Sequence, residues 1–382
     1  MMKTERKYEF RKRLNEVHKP NRRDHALQPK ASEAAVGRSW SIVISESASP
    51  VLTQAAKDLQ DYFFTSMNES LLLVKTDNIA EAAGSGSQVI VLAEKTDLPS
   101  AGQDLKTPRS YRLQVSSDRI VICGNDDRGA AQGSYYLEDL MNLREAPFVE
   151  TQDIVREPLF SPRMIHSGWG LDQYPDPHLN ALAHYGIDSI LIFVKGMDET
   201  PYGYLDFNDL IERASLYGID VYMYSYIPSE VHPDDPEALA YYESTYGEII
   251  KTYPRFKGII FVGESCEFPS KDPNTCGVIR RKWPKGKPRT KPFPGWWPCN
   301  DFPQWLEMMK KVTRKHNPDL DIVFWTYNWG YAPEEARLAL IRALPTDITL
   351  MATFEMFEKY EKGGVIHTCV DYTASFEGPG KY

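Results

Sequence analysis

The sequence predicts an α/β protein, a (β/α)8-type TIM barrel over residues 151–382 preceded by a small α+β domain at 39–150 and a basic extension at 1–38. Three observations carry that expectation. From residue 163 onward, apolar runs of strand length alternate with segments of helical period, the pattern of a parallel sheet wound by crossover helices. Upstream, the order is different: strand, helix, strand, then a hairpin closing on a long helix. Finally, no Gly-x-Gly-x-x-Gly turn follows any strand, so an open dinucleotide-binding sheet has no support.

In the barrel, seven strands are expected, at 163–169, 188–195, 220–227, 258–264, 321–328, 347–355 and 367–372. Helices fall between them at about 176–185, 206–217, 235–252, 301–316 and 333–344, several opened by a Pro or Asp that suits a first turn. A closed barrel of this type needs eight strands. Because an open parallel barrel would leave two unpaired edges beside its core, the expectation is that an eighth unit is missing from this chain.

The small domain opens with a strand at 41–45. Ser49 then caps a helix running to residue 64, with Pro50 at its first position. A second strand follows at 88–92, and the runs 110–115 and 119–123 alternate like a hairpin across Ser116-Ser-Asp. The unit closes on a helix in which Gly129 and Gly133 stand four apart, where missing side chains let the helix approach the sheet, while Tyr136, Leu137 and Leu140 supply an apolar face. Arg128, at its entry, is expected to pair with Asp126 or Asp127.

Composition narrows the function classes. With 42% hydrophobic and 25% charged residues over 382 positions, the chain reads as a soluble protein of at least two domains. No segment approaches the apolar span of a membrane helix, and the first ten residues lack the apolar core of a secretory signal, so no membrane partner is expected. Five cysteines, odd in number and widely spaced, fit a reducing cytoplasm better than a disulfide framework. Lacking a Cys-x-x-Cys or a closely spaced His pair, the sequence predicts no metal and no cofactor. Net charge is −9, yet residues 1–30 carry ten Lys and Arg against four acids. The acidic remainder would repel a phosphate backbone, and nucleic acid is not expected as a partner. Nothing in the sequence sets the oligomeric state.

Phe261-Val-Gly-Glu-Ser-Cys-Glu-Phe268 sets two carboxylates, Glu264 and Glu267, three apart directly after an apolar strand. Cleaving a glycosidic bond takes one carboxylic acid to protonate the leaving oxygen and a second carboxylate as base or nucleophile. Barrel enzymes gather such groups at the C-terminal mouth of the strands. Glu264 is the expected acid, since burial beside Phe261 and Phe268 would raise its pKa. Glu355 and Asp371 are candidates for the second group, followed by Glu267 and Glu377. Each has a structural alternative as the partner of a Lys or Arg.

Aromatic residues cluster at the same strand ends: Trp169, Tyr224, Tyr226, Trp325, Tyr327, Trp329 and Tyr372. Their flat faces suit stacking on sugar C–H surfaces, with N–H and O–H groups reaching hydroxyls. Tyr222, Tyr224 and Tyr226 alternate and so share one strand face. Between 268 and 301 runs a long Pro-, Trp- and Lys/Arg-rich insertion in which Arg280 and Arg281 could recognise a substrate carboxylate or sulfate; a solvated lid is the alternative.

The stretch 125–139, Asn-Asp-Asp-Arg-Gly-Ala-Ala-Gln-Gly-Ser-Tyr-Tyr-Leu-Glu-Asp, followed some 25 residues later by Pro162-Arg-Met, resembles the small domain that precedes the catalytic barrel in β-hexosaminidases of glycoside hydrolase family 20 and α-glucuronidases of family 67. The resemblance spans roughly residues 40–382 and implies a hydrolase acting on a carbohydrate. Family 20 enzymes place Asp directly before the acidic Glu so that the substrate's acetamido group acts as nucleophile. Here Gly263 holds that position, which puts the substrate-assisted route in doubt and brings Glu264 closer to the lone Glu of the α-glucuronidases. A non-catalytic carbohydrate-binding protein on the same scaffold is the alternative reading.

Overall fold

The computed structural model describes residues 15–166, 173–262, 268–273, 278–279, 282, 284–285, 300–326, 334–351 and 356–370. They fall into two compact units, the first drawn from Met1–Ile165, Tyr174–Ser189 and Glu212–Asp220, the second from His166–Gln173, Ile190–Ile211 and Val221–Tyr382. Among the described residues, no helix is long and apolar enough to cross a membrane.

The first unit is a six-stranded sheet. Strand β1 (Glu33–Ala35) stands apart from it, paired with β7 (Phe148–Glu150). The sheet itself takes β2 (Ser41–Ser45), β3 (Leu72–Thr76), β4 (Val89–Glu94), β5 (Tyr111–Val115), β6 (Arg119–Gly124) and β8 (Gln152–Arg156) in the order β3-β2-β4-β6-β5-β8. Strands β3, β2, β4 and β6 run parallel, whereas β5 is antiparallel to both β6 and β8. The hairpin across Ser116 is therefore as the sequence predicts. Strand β3 and the short helix Ile79–Ser85 are additions to the expected order. They are hard to read because β3 is an edge strand whose Leu72 and Val74 face solvent.

Helix α1 (Pro50–Met67) begins where Ser49 Oγ accepts the Leu52 N–H at 3.1 Å, and ends at Asn68 in the left-handed region, φ 56°. Its Leu52, Ala55, Ala56, Leu59 and Phe63 recur at helical spacing and are wholly buried. Helix α2 (Asp127–Arg144) is capped by Asp126, whose two oxygens accept the Gly129 N–H at 2.8 Å and the Arg109 N–H at 2.9 Å. That double use corrects the pairing expected for Arg128. Asp126 is spent on the cap, Asp127 accepts the Arg128 backbone N–H, and the guanidinium instead grips Asp220 with two bonds of 2.9 and 2.7 Å.

The glycines of α2 act as the sequence suggests. A Cβ at Gly129 would lie 2.3 Å from the Ser110 carbonyl oxygen, and one at Gly133 would lie 2.5 Å from Ile122 Cγ2. The facing residues are Ala130, Leu137 and Met141, with Tyr135 rather than Tyr136 taking the buried aromatic position.

The described part of the basic extension is pinned to these helices. Arg22 and Arg23 N–H both donate to Ser66 O, Asp24 N–H donates to Glu145 O, and β1 adds to β7. Glu33, almost fully buried, accepts from Arg144 Nε at 2.7 Å and from the Lys30 N–H at 2.7 Å.

A second sheet, whose residues other than Met164, Ile165, Ser189 and Asp220 belong to the second unit, takes β9 (Met164–His166), β10 (Ser189–Val194), β13 (Asp220–Ser225), β14 (Gly258–Val262), β15 (Asp321–Trp325) and β16 (Thr349–Met351) in chain order. A small hairpin, β11 (Glu199–Thr200) and β12 (Gly203–Tyr204), interrupts the series. Strands β13 to β16 pair in parallel, the arrangement crossover helices produce. Six of the seven expected strands thus occupy one half-barrel sheet. The seventh does not: β18 (Val365–Val370) pairs antiparallel with β17 (Met356–Lys362) in a separate hairpin. Its turn is Gly363-Gly364, with φ 62° and 76°, the two-residue loop that only residues tolerating positive φ close readily.

One face of this sheet is covered by α3 (Phe302–Arg314), whose Trp305 is fully buried against Phe261 of β14, ring centroids 5.0 Å apart, while Phe302 meets Phe324 of β15 at 5.1 Å.

Two outcomes follow from the first unit. Gly129→Ala should lose about 1–3 kcal/mol in a denaturant titration, because the backbone it meets cannot yield, whereas Gly84→Ala, with nothing within 4 Å of its Cβ, should lose nothing. Hydrogen bonding from Arg144 holds the Glu33 carboxyl below the usual glutamate range, so its stabilisation exists above the unfolded-state pKa and is lost as pH falls. Glu33→Gln should accordingly lower the melting temperature at pH 7, and its gap to the unaltered chain should narrow steadily below about pH 4.3.

Candidate active site

Parallel register sorts the side chains of the second unit. Phe261 and Phe324 lie level and both touch the helix Phe302–Arg314. By strand alternation, Tyr222, Tyr224, Ile260, Val262, Val323 and Trp325 present to the other face.

Along that face, Tyr222 sits level with Gly258, which sits level with Asp321. A Cβ at Gly258 would come within 2.3 Å of the Tyr222 ring, so the glycine makes room for the phenol, whose hydroxyl donates to Asp321 Oδ2 at 2.9 Å. Tyr222 therefore belongs to the N-terminal end of the strands and holds the sheet together there, apart from the tyrosines two and four residues on.

Towards the C-terminal ends, aromatic rings from several strands meet. Tyr224 and Tyr226 stack at 5.3 Å and 29°, Phe193 of β10 lies 4.8 and 5.4 Å from them, His166 of β9 lies edge-on to Phe193 at 6.1 Å, and Trp325 of β15 is edge-on to Tyr224 at 6.2 Å. Tyr226 and Trp325 are half-exposed. Of the predicted binding aromatics, Tyr224, Tyr226 and Trp325 are thus brought together. Trp169, Tyr327, Trp329 and Tyr372 lie outside the described residues, as do the carboxylates Glu264, Glu267, Glu355, Asp371 and Glu377 and the loop arginines Arg280 and Arg281.

The chain on either side of residues 263–267 is firmly held. Before it, β14 is buried along its whole length. After it, Phe268 is buried and stacks on Trp305 at 5.8 Å, 8° from parallel. Next comes a polar clasp. Asp301 accepts from Ser270 Oγ at 2.9 and 3.0 Å, from the Lys271 N–H at 2.7 Å, and from His232 Nε2 at 2.9 Å. His232 Nδ1 in turn accepts the Asp234 N–H at 3.0 Å, which fixes the tautomer with the proton on Nε2. Asp272 accepts the Asn300 N–H, closing the base of the 268–301 insertion.

His166, Phe193, His232 and Asp301 were not singled out from sequence. His232 and Asp301 are 69 positions apart, and neither lies in a local motif. The one available sign was Asp301 directly before a helix start, and its carboxylate makes no capping bond there. Among the described residues, a single group has metal-ligand proximity: His18, Asp58, Glu138 and His184, in the first unit.

No family model and no curated protein matches the chain. Solved structures do. The family 20 β-N-acetylhexosaminidase from Streptomyces coelicolor A3(2) aligns with TM-score 0.56 at 11% identity, over 92% of this chain and 79% of that one. Streptomyces plicatus N-acetyl-β-hexosaminidase in complex with Thio-NAglucal gives 0.56 at 12%, over 91% and 78%. CpGH84B gives 0.56 at 14%, over 85% of this chain and 54% of its own, so the chain spans about half of that protein's length. This is a glycoside hydrolase fold.

Removing the clasp's acceptor should be costly. Asp301→Ala strands the buried His232 N–H and the Ser270 hydroxyl, and should destabilise by roughly 1–3 kcal/mol in a denaturant titration while hastening proteolytic cleavage within 268–301.

Proposed function

We propose that this chain is a glycoside hydrolase that cleaves a glycosidic bond by carboxylate general acid/base catalysis. The observation that carries the reading is the aromatic cluster of Tyr224, Tyr226, Phe193 and Trp325 at the C-terminal ends of parallel strands, flanking the strand that leads into Gly263-Glu264. A parallel α/β scaffold of this type places catalytic groups at that end. Stacked aromatic faces there suit a sugar ring, whose C–H surfaces pack on them while its hydroxyls reach phenol and indole groups.

In this reading Glu264 protonates the leaving oxygen. Glu355 or Asp371 supplies the second carboxylate, with Glu267 and Glu377 as further candidates. A carboxyl separation of about 5–5.5 Å would give retention, and about 6.5–9.5 Å would admit a water and give inversion. With Gly263 before Glu264, a hexosaminidase-type substrate-assisted route has no orienting Asp at that position, and the α-glucuronidase type is the closer analogue. Trp169, Tyr327, Trp329 and Tyr372 join the described aromatics as sugar contacts. The neighbours named above are glycoside hydrolases, which supports the reaction class and leaves the sugar to be identified.

The test is a panel of chromogenic glycosides. Glu264→Gln, which keeps shape but has no proton to give, should lower turnover of poor-leaving-group substrates by about 10²–10⁴-fold and that of activated ones less. Equal loss on both kinds refutes the assignment of the acid. No turnover of any glycoside, with calorimetric sugar binding that Trp325→Ala abolishes, would instead establish the carbohydrate-binding alternative.

A further inference from the structure

We infer that His18, Asp58, Glu138 and His184 form a site for one divalent transition-metal ion of the zinc type. The site lies wholly in the first unit and stands independently of the glycosidase reading. Its residues come from four separate segments: the stretch ahead of β1, helix α1, helix α2, and the last position of the helix Asp176–His184. Sequence spacing hid it, since the nearest two of the four are forty positions apart. The donor atoms all lie within 4.8 Å of one another.

The distances resemble the edges of a coordination polyhedron. His18 Nε2 is 3.3 Å from Glu138 Oε2 and 3.5 Å from Asp58 Oδ2, and His184 Nδ1 is 3.6 Å from the same Glu138 oxygen. A tetrahedral zinc with bonds of about 2.0–2.1 Å separates its ligand atoms by about 3.3–3.4 Å. One contact is shorter: His184 Nε2 lies 2.6 Å from Asp58 Oδ2, a hydrogen bond that must open by less than about 1 Å if that nitrogen becomes the ligand.

Two features point to a cation at the centre. The first is an outer layer that orients the ligands. His18 Nδ1 is bonded to Asp61 Oδ2 at 2.7 Å, and Asn180 Nδ2 donates to Asp58 Oδ1 at 2.6 Å. A carboxylate on the far nitrogen of a histidine is how metal-bound imidazoles are commonly fixed. With its ring proton held on Nδ1, His18 would turn an Nε2 lone pair to the ion. The second is a pair of buried polar atoms left without a bond. His18 Nε2 faces oxygens of Asp58 and Glu138 beyond good hydrogen-bond length, and His18 Nε2 and Glu138 Oε1 are both buried with no hydrogen-bond partner among the described residues. Glu138 is 2% exposed and Asp58 6%. Carboxylates so deeply buried need a compensating charge. Two imidazoles and two carboxylates suit zinc, whereas magnesium and calcium favour all-oxygen sets. With four protein ligands and no open position, the ion would be structural, tying the N-terminal segment to three helices.

The experiment uses the full untagged chain, stripped with chelator and then titrated with zinc chloride, with magnesium chloride as control. Calorimetry should find one zinc per chain, and zinc alone should raise the melting temperature. Cobalt(II) loaded into the unaltered chain should show the visible d–d bands of a tetrahedral site, a readout that needs no variant to fold. Glu138→Gln and His184→Ala should weaken zinc binding at least 100-fold, and Asp61→Asn by about 10–100-fold. A melting temperature unmoved by zinc, with no tetrahedral cobalt spectrum, would overturn the proposal and leave the cluster as a proton-bridged set of ion pairs. Zinc binding that survives both ligand substitutions would overturn it as well.

Discussion

The buried indole of Trp305 is the contact on which the geometry of the second unit depends. It meets Phe261 on one side and Phe268 on another, and its Nε1 donates to Tyr242 OH at 3.1 Å. Phe261 and Phe268 bracket the stretch that holds Glu264, so one ring fixes the chain before and after it. Because Phe261 is committed to the helix, alternation commits Ile260 and Val262 to the opposite face, level with Tyr224 and Trp325 on the neighbouring strands. Truncating an aromatic so placed typically costs about 3–5 kcal/mol. Which side chains of β14 share a face with Tyr224 and Trp325 is thereby set by one packing decision.

The two histidine–carboxylate assemblies solve opposite problems. Around Asp301 every polar atom has a counterpart: hydroxyl, amide and imidazole N–H all converge on one carboxylate, and the other ring nitrogen accepts an amide. Such a network rigidifies a loop base without outside help. Around Glu138 the bonding is incomplete, since Glu138 Oε1 and His18 Nε2 are buried with no hydrogen-bond partner among the described residues. The difference lies in how the second histidine nitrogen is used, bonded to a backbone amide in one case and facing carboxylate oxygens in the other.

Much of the architecture was legible because local signals agreed with tertiary ones. Ser49-Pro50, the Gly129/Gly133 pair, the Ser116 hairpin and the helix 302–314 were readable from capping, spacing and alternation. So was the grouping of Tyr224, Tyr226 and Trp325, since strand ends in a parallel sheet converge. Where the reading failed, a local rule was overridden or overlooked. The run 367–372 has strand composition, but Gly363-Gly364 upstream makes its described part, 367–370, belong to the second arm of a hairpin. Arg128 bypassed two adjacent acids because the helix cap had already taken one of them. The clasp at Asp301 and the cluster at Glu138 join residues tens to more than a hundred positions apart, which no window of sequence brings together.

One feature of the helical layer sets a limit on chain length. Between Ala238–Tyr242 and Glu248–Thr252 the backbone widens into a π turn at Glu243–Gly247, one residue more than an α-helix would use. The surplus residue sets the phase between Tyr242, which bonds Val231 O and receives the Trp305 N–H, and Tyr246, which shares a hydrogen with Ser225 Oγ at 2.7 Å. Excising one residue here would restore a regular helix while rotating everything on one side of it by about 100° relative to the other. One tyrosine would then lose its partner. The segment thus behaves as a fixed-length gauge between strand β13 and the helix behind β14, and a homologue one residue shorter at this point would have to rebuild both contacts together.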